Sequence, residues 1–125
     1  SKLIEVQING CHELELARKA ARGVTVSPLV KSAIHGEDPN WGRIVARLGA
    51  EVVPAASLDR MKLSIQDHVL FEKGAPVDFD RTAVRSSLRG DTIHIRIDLN
   101  SGTESATAWG CDLSKRYVEI NTDYN

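Results

Sequence analysis

Residues 32–44, SAIHGEDPNWGRI, gather two acids, a proline, a tryptophan and an arginine within a few positions. Glu37 and Asp38 could serve as a general acid and base, and Arg43 could clamp a carboxylate or phosphate. Local structure competes with that chemistry. Asp38 immediately precedes Pro39 and a helical pattern, so it is expected first as a helix N-cap, a role worth about 1 kcal/mol. The positive end of a helix also favours a carboxylate's ionised form, the wrong direction for a general base. Arg43 lies one turn further on, where a bridge back to Glu37 or Asp38 is the favoured expectation. Gly36 and Gly42 have the spacing of neither phosphate-binding glycine loop.

Other reactive side chains form no complete constellation. Cys11 and His12 are adjacent in sequence, and adjacent side chains project apart, so Cys11 reads as a turn cysteine and His12 as a surface histidine. His35, His68 and His94 stand at no metal-ligand spacing from another His, Cys or carboxylate, and each reads as solvated or locally bonded. Cys111 follows Gly110 without an assignable base and reads as a small buried residue. Asn121 and Asn125 offer amides to carboxylates or carbonyls, although from the residues alone a surface polar tail is the favoured reading. No catalytic or metal-ligating residue is assigned from the sequence.

The composition narrows the class. Sixteen Lys and Arg against seventeen Asp and Glu give a net charge of −1. The signs are interspersed, and no basic block tracks phosphates, so nucleic acid is not an expected partner. No apolar run approaches the ~20 residues that cross a bilayer. With no secretory leader and two cysteines far apart in sequence, a cytoplasmic protein with reduced thiols is expected. Its 125 residues make one domain, 1–125. The sequence opens directly on strand pattern, which suggests an internal or processed segment.

Hydrophobic periodicity supplies the elements. Ile4, Val6 and Ile8 alternate with polar residues over 2–9, a strand with one buried face closed by a turn at Asn9-Gly10. A helix follows over 12–22, interrupted by Gly23. Ser27-Pro28 caps a second, whose apolar stripe is Leu29, Val30, Ala33 and Ile34, and Gly36 ends it. Trp41, Ile44, Val45 and Leu48 mark a third, stopped at Gly49. Residues 50–60 read as a linker. Strands are expected at 61–66 and 69–72, a helix over 80–88, and the clearest strand over 92–99. Asn100-Ser101-Gly102 reads as a hairpin turn into a small-residue strand at 103–111, packed closely against another layer. Tyr117, Ile120 and Tyr124 lie at helical spacing, and 117–121 could equally extend as a strand. The expected fold is α+β: a roll-like two-layer domain with a mixed or antiparallel sheet and helices on one face.

Two long stretches, SPLVKSAIHGEDPNWGRI (27–44) and SATAWGCDLSKRYVEINTDY (105–124), resemble the ornithine acetyltransferase family. These are the glutamate N-acetyltransferases of arginine biosynthesis. The resemblance is collinear over nearly all of the chain, and SKLIEVQING and DTIHIRIDLNSG are similar to family strands. It implies an enzyme that cuts itself ahead of a threonine into α and β chains. The freed threonine takes acetyl from N2-acetylornithine and passes it to glutamate, and some members accept acetyl-CoA. No other cofactor is implied. The sequence then corresponds to the C-terminal part of the β chain, with a roll-like domain. The nucleophile would lie outside it, as would a β-chain glutamate in the segment just before the first strand. The implied partners are the α chain, the rest of the β chain and an α2β2 assembly. Asn121, in INTDY, matches a substrate-contacting asparagine; a terminal hydroxyl residue has no match at Asn125. Residues 36–43 then read as an architectural corner. The competing reading is a stand-alone, non-catalytic binding or assembly domain.

Overall fold

The structure, a computed structural model, describes residues 2–51 and 53–112. β1 (Leu3–Cys11) buries Ile4, Val6 and Ile8 and turns Glu5, Gln7 and Asn9 the other way. β5 (Thr92–Asp98) repeats the pattern, with Ile93, Ile95 and Ile97 buried against exposed His94 and Arg96. β2 (Lys62–Ile65) adds Leu63 and Ile65. Period-two alternation therefore makes one apolar sheet face and one polar face.

β1 pairs in parallel with β5, Leu3 opposite Thr92 and Asn9 opposite Asp98. On its other side it pairs antiparallel with β6 (Glu104–Cys111). β2 runs antiparallel to β5, β3 (His68–Glu72) to β2, and the short β4 (Ala75–Pro76) to β3. Among the described residues the sheet is six-stranded, in the order β4-β3-β2-β5-β1-β6. The expected α+β fold is present, and the sheet is mixed because of the β1–β5 pair.

α1 (Leu14–Val26), α2 (Pro28–His35), α3 (Trp41–Ala50), α4 (Ala55–Arg60) and α5 (Arg81–Ser87) complete the domain. Ala17, Ala20, Ala21 and Val24 of α1, Val30 and Ile34 of α2, Ile44 and Leu48 of α3 and Val84 of α5 join the sheet's apolar face in one core. Ser27 caps α2 by accepting the Val30 N–H, as expected. Leu29, placed in the apolar stripe by sequence, is instead 62% exposed.

Several boundaries differ from expectation, each for a local reason. β1 continues through Asn9-Gly10, because Gly10 (φ +66) allows a bulge there rather than a turn. α1 continues through Gly23, where the missing side chain admits Glu51 from the end of α3; a Cβ would lie 2.6 Å from Glu51 Cγ. Arg47 secures that contact, donating to the Gly23 carbonyl at 2.9 Å and pairing with Glu51 at 2.7 Å. The stretch read as a linker contains α4, which packs Leu58 on the core.

Asn100-Ser101-Gly102 is not a hairpin turn. β5 and β6 are separated by β1, so this loop passes over the end of β1. Leu99 and Ser101 donate to the carbonyls of Asn9 and Gly10 at 2.9 and 2.7 Å. Arg60 and Ser57 of α4 hold Ser101 from outside. The small residues of β6 do serve close packing: a Cβ at Gly110 would lie 2.9 Å from the Thr25 carbonyl of α1.

Two glycines should respond in opposite directions. A Cβ at Gly102 would lie 2.5 Å from the Cys11 carbonyl, so Gly102→Ala is expected to cost about 1–3 kcal/mol. Exposed Gly49 has nothing within 4 Å of that position, and Gly49→Ala is expected to gain about 0.5 kcal/mol from helix propensity. Urea unfolding midpoints of the two variants check both signs.

Candidate functional site

The start of β1 and the end of β6 are tied at one point. Asp112 donates its N–H to the Lys2 carbonyl at 3.0 Å. Its Oδ1 accepts the Lys2 N–H at 2.6 Å, and its Oδ2 lies 2.9 Å from His35 Nδ1. Lys2 Nζ donates to the carbonyl of Ile34, which precedes His35 in α2. The Asp112 side chain is 1% exposed and that of His35 47%. Burial alone pushes the Asp112 carboxyl up; the Lys2 N–H bond and the His35 ring together outweigh it, and the group sits below its ordinary value. A cleft lined by Lys2, His35, Glu37, Arg89, Asp91 and Asp112 opens beside this tie.

The corner at 36–43 resolves into structural contacts. Glu37 (φ +55), not Gly36 (φ −80), takes the left-handed position that ends α2. Glu37 donates to the Ile34 carbonyl and Asp38 to that of Ala33, the paired bonds of a Schellman ending. The N-cap of α3 is Asn40, whose Oδ1 accepts the Arg43 N–H at 3.1 Å; Asp38 lies two residues too early. Asp38 instead accepts from Asn40 Nδ2 and Arg81. Arg43 bridges to neither acid. It donates to the Leu29 carbonyl at 2.8 Å and lies 3.4 Å from Ser32 Oγ, tying α3 to α2. Trp41 stacks at a tilt on Phe71 of β3, ring centroids 5.3 Å apart. Arg43 thus joins α3 to α2, Asp38 reaches Arg81 of α5, and Trp41 joins α3 to β3.

The polar sheet face carries a second cluster. His94 Nδ1 lies 2.9 Å from Glu5, and Arg96 donates to Gln7 Oε1. Strand parity puts Trp109, 61% exposed, opposite Glu5 on that face. The same parity exposes Cys111, which the sequence reading buries. Cys11 is buried and pairs with Glu104, whereas Cys111 pairs with Leu3. The thiols therefore stand at opposite ends of β1, roughly 25 Å apart at the rise of a strand, too far to bridge. His12 is exposed and His68 half-buried. Among the described residues no three His, Cys, Asp or Glu side chains converge to hold a metal. No described helix is long and apolar enough to cross a membrane.

Comparison with known proteins gives these clusters a context. The model of the ArgJ family matches residues 1–125. The chain belongs to the ArgJ family. The arginine biosynthesis bifunctional protein ArgJ of Parasynechococcus marenigrum is 48% identical over 122 residues, which is 98% of this chain and 30% of that protein. Its counterpart in Dehalococcoides mccartyi is 45% identical over 126 residues, with the same two coverages. The crystal structure of the Bacillus halodurans arginine biosynthesis bifunctional protein superposes with a TM-score of 0.93 at 34% identity, over 99% of this chain and 58% of that one. The chain thus spans about 30% of the length of the curated ArgJ relatives it matches.

The substrate residue implied by the family resemblance, Asn121, lies outside the described residues, as do Asn125 and the helical spacing of Tyr117, Ile120 and Tyr124. The geometry adds Asp112, to which the sequence alone assigns no role.

Because the Asp112 carboxyl is lowered on folding, it contributes stability that is complete above the ordinary carboxyl range and lost as pH falls below it. In acid titrations Asp112→Asn should lose stability at neutral pH and show a shallower decline below roughly pH 4. Trp41→Ala, at a half-buried site, should cost about 2–3 kcal/mol by urea unfolding, below a fully buried tryptophan. A wild-type midpoint would reject the corner as a structural joint.

Proposed function

We propose that this chain is the C-terminal portion of the β chain of an ornithine acetyltransferase, a glutamate N-acetyltransferase of arginine biosynthesis. The observation that carries the reading is the family match over all 125 residues, with relatives named as arginine biosynthesis bifunctional proteins. The threonine nucleophile, freed by self-cleavage, belongs to a part of the protein outside this sequence. It attacks the acetyl carbonyl of N2-acetylornithine, releases ornithine and holds the acetyl as an ester. The amine of glutamate then takes the acetyl and regenerates the hydroxyl. No cofactor is needed, and acetyl-CoA serves as an alternative donor in some members. The α chain and the rest of the β chain are the partners, in an α2β2 assembly in the cytoplasm.

In this division of labour the domain contributes shape and one polar finger. The Asn121 amide can donate to a substrate carboxylate and accept from an ammonium without adding charge. Acyl transfer between two amino acids needs that orientation, since the attacking amine must approach the acyl carbonyl along a narrow path. The corner at 36–43 fits the same view, because Asp38 and Arg43 are already engaged in contacts to α5 and α2.

The complete protein should transfer acetyl from N2-acetylornithine to glutamate, followed by product analysis, whereas the 125-residue chain alone should not turn over. Turnover by the isolated chain would overturn the reading. In the complete enzyme, Asn121→Ala should lower kcat/KM at least ~10-fold, about 1.4 kcal/mol of transition-state stabilisation. Unchanged kinetics would remove Asn121 from the site.

A further inference from the structure

We propose that the groove between α2 and α3 docks an acidic amphipathic helix of a separate polypeptide. The helix lays its apolar side in the groove and sets its carboxylates on the arginines of α3.

The groove has a volume of about 500 Å³ and is lined by Pro28 and Leu29 on the α2 side and by Ala46 and Ala50 on the α3 side, with Arg43 and Arg47 beside them. Leu29 is 62% exposed there. Val26, 53% exposed, lines a neighbouring cleft of about 420 Å³ that also reaches Arg47. These are two of the four large apolar side chains that stand exposed among the described residues. Single exposed apolar residues are ordinary, but two against adjoining clefts mark a contact surface.

The charge around the two clefts is one-sided. Together they are lined by five cations, Arg18, Lys19, Arg22, Arg43 and Arg47, against Glu15 and Glu51. That is a local charge of +3 on a chain whose net charge is −1. Glu15 pairs with Arg18 and Glu51 with Arg47. Among the described residues Lys19, Arg22 and Arg43 enter no ion pair. Arg43 is nonetheless held in place, because its Nη1 donates to the Leu29 carbonyl at 2.8 Å. Its Nε and Nη2 make no hydrogen bond to the described residues, so a fixed guanidinium keeps donors for an acceptor from outside.

These features select among occupants. A second copy in a two-fold contact would set this positive surface against itself. The clefts carry no aromatic ring on which a nucleic-acid base could stack. A bilayer is flat, whereas the groove is concave. A helix is convex, and apolar side chains every three or four residues fill such a groove. Arg43 and Arg47 lie one turn apart on α3, about 6 Å along its axis, which matches carboxylates one turn apart on the incoming helix.

The test uses the complete protein and a stapled helical peptide as the probe. Leucines run along one side of the peptide, with glutamates one turn apart beside them; a control peptide carries lysines in place of the glutamates. Fluorescence anisotropy should show saturable binding of the glutamate peptide, weakened by added salt, and none of the lysine peptide. Leu29→Ala should weaken that binding at least ~10-fold. Ala46→Glu puts an acid in the groove and should lose the glutamate peptide and gain the lysine one. Both positions are exposed, so both variants should melt like wild type. If Leu29→Ala does not fold, Ala46→Glu decides. No binding of the glutamate peptide, equal binding of both peptides, or variants that bind like wild type would overturn the proposal. Capture of phosphatidylglycerol vesicles in place of the peptide, or self-association lost in Leu29→Ala, would overturn it in favour of a membrane or a second copy.

Discussion

The insertion of β1 between β5 and β6 is the constraint on which the rest of the fold depends. β1 is paired on both sides by strands from the end of the described chain, one parallel and one antiparallel. Its alternation must therefore agree with two partners at once. A slip of one residue would turn Ile4, Val6 and Ile8 to solvent and bring Glu5 and Gln7 into the core. The helices must then cover the one apolar face, and the loop from β5 to β6 must cross the end of β1. That crossing explains the close approach of Gly102 to Cys11 and the hold that Arg60 and Ser57 keep on Ser101.

The layers of this arrangement were legible in the sequence, because burial of one face writes itself as alternation. Ile93, Ile95 and Ile97 could belong only to a strand with one wet side. Ser27-Pro28 marked the start of α2, and the helix expected over 80–88 begins where Asp80 accepts the Ala83 N–H. The order of strands was not legible. Alternation states which face of a strand is buried and says nothing about its neighbours, so Asn100-Ser101-Gly102 carried the same turn chemistry for a crossing as for a hairpin.

The candidate site was harder to read for a related reason. Asp38 and Asn40 are both good caps, and only the backbone path chose Asn40. Arg43 could reach acids close in sequence, yet its guanidinium found the carbonyl of Leu29 in the preceding helix. Cys111 was expected inside because cysteine usually is, but its parity on β6 faces it outward with Trp109. The importance of Asp112 depended on a contact across the whole length of the chain, with Lys2, and no local pattern encodes such a contact. Asn121 stood out through resemblance to a family rather than through its own surroundings.

A carboxylate is an expensive choice for that contact. Removing an ion from water costs several kcal/mol, and a well-packed apolar pair often holds two elements together at least as firmly. At Asp112 the penalty is offset by the Lys2 N–H and the His35 ring, and the group ends more acidic than a free one. What the charge adds is direction. Charge-assisted hydrogen bonds are short and oriented, so they specify an angle where dispersion specifies only proximity. At Asp112 those angles set how the start of β1, the end of β6 and the last turn of α2 meet.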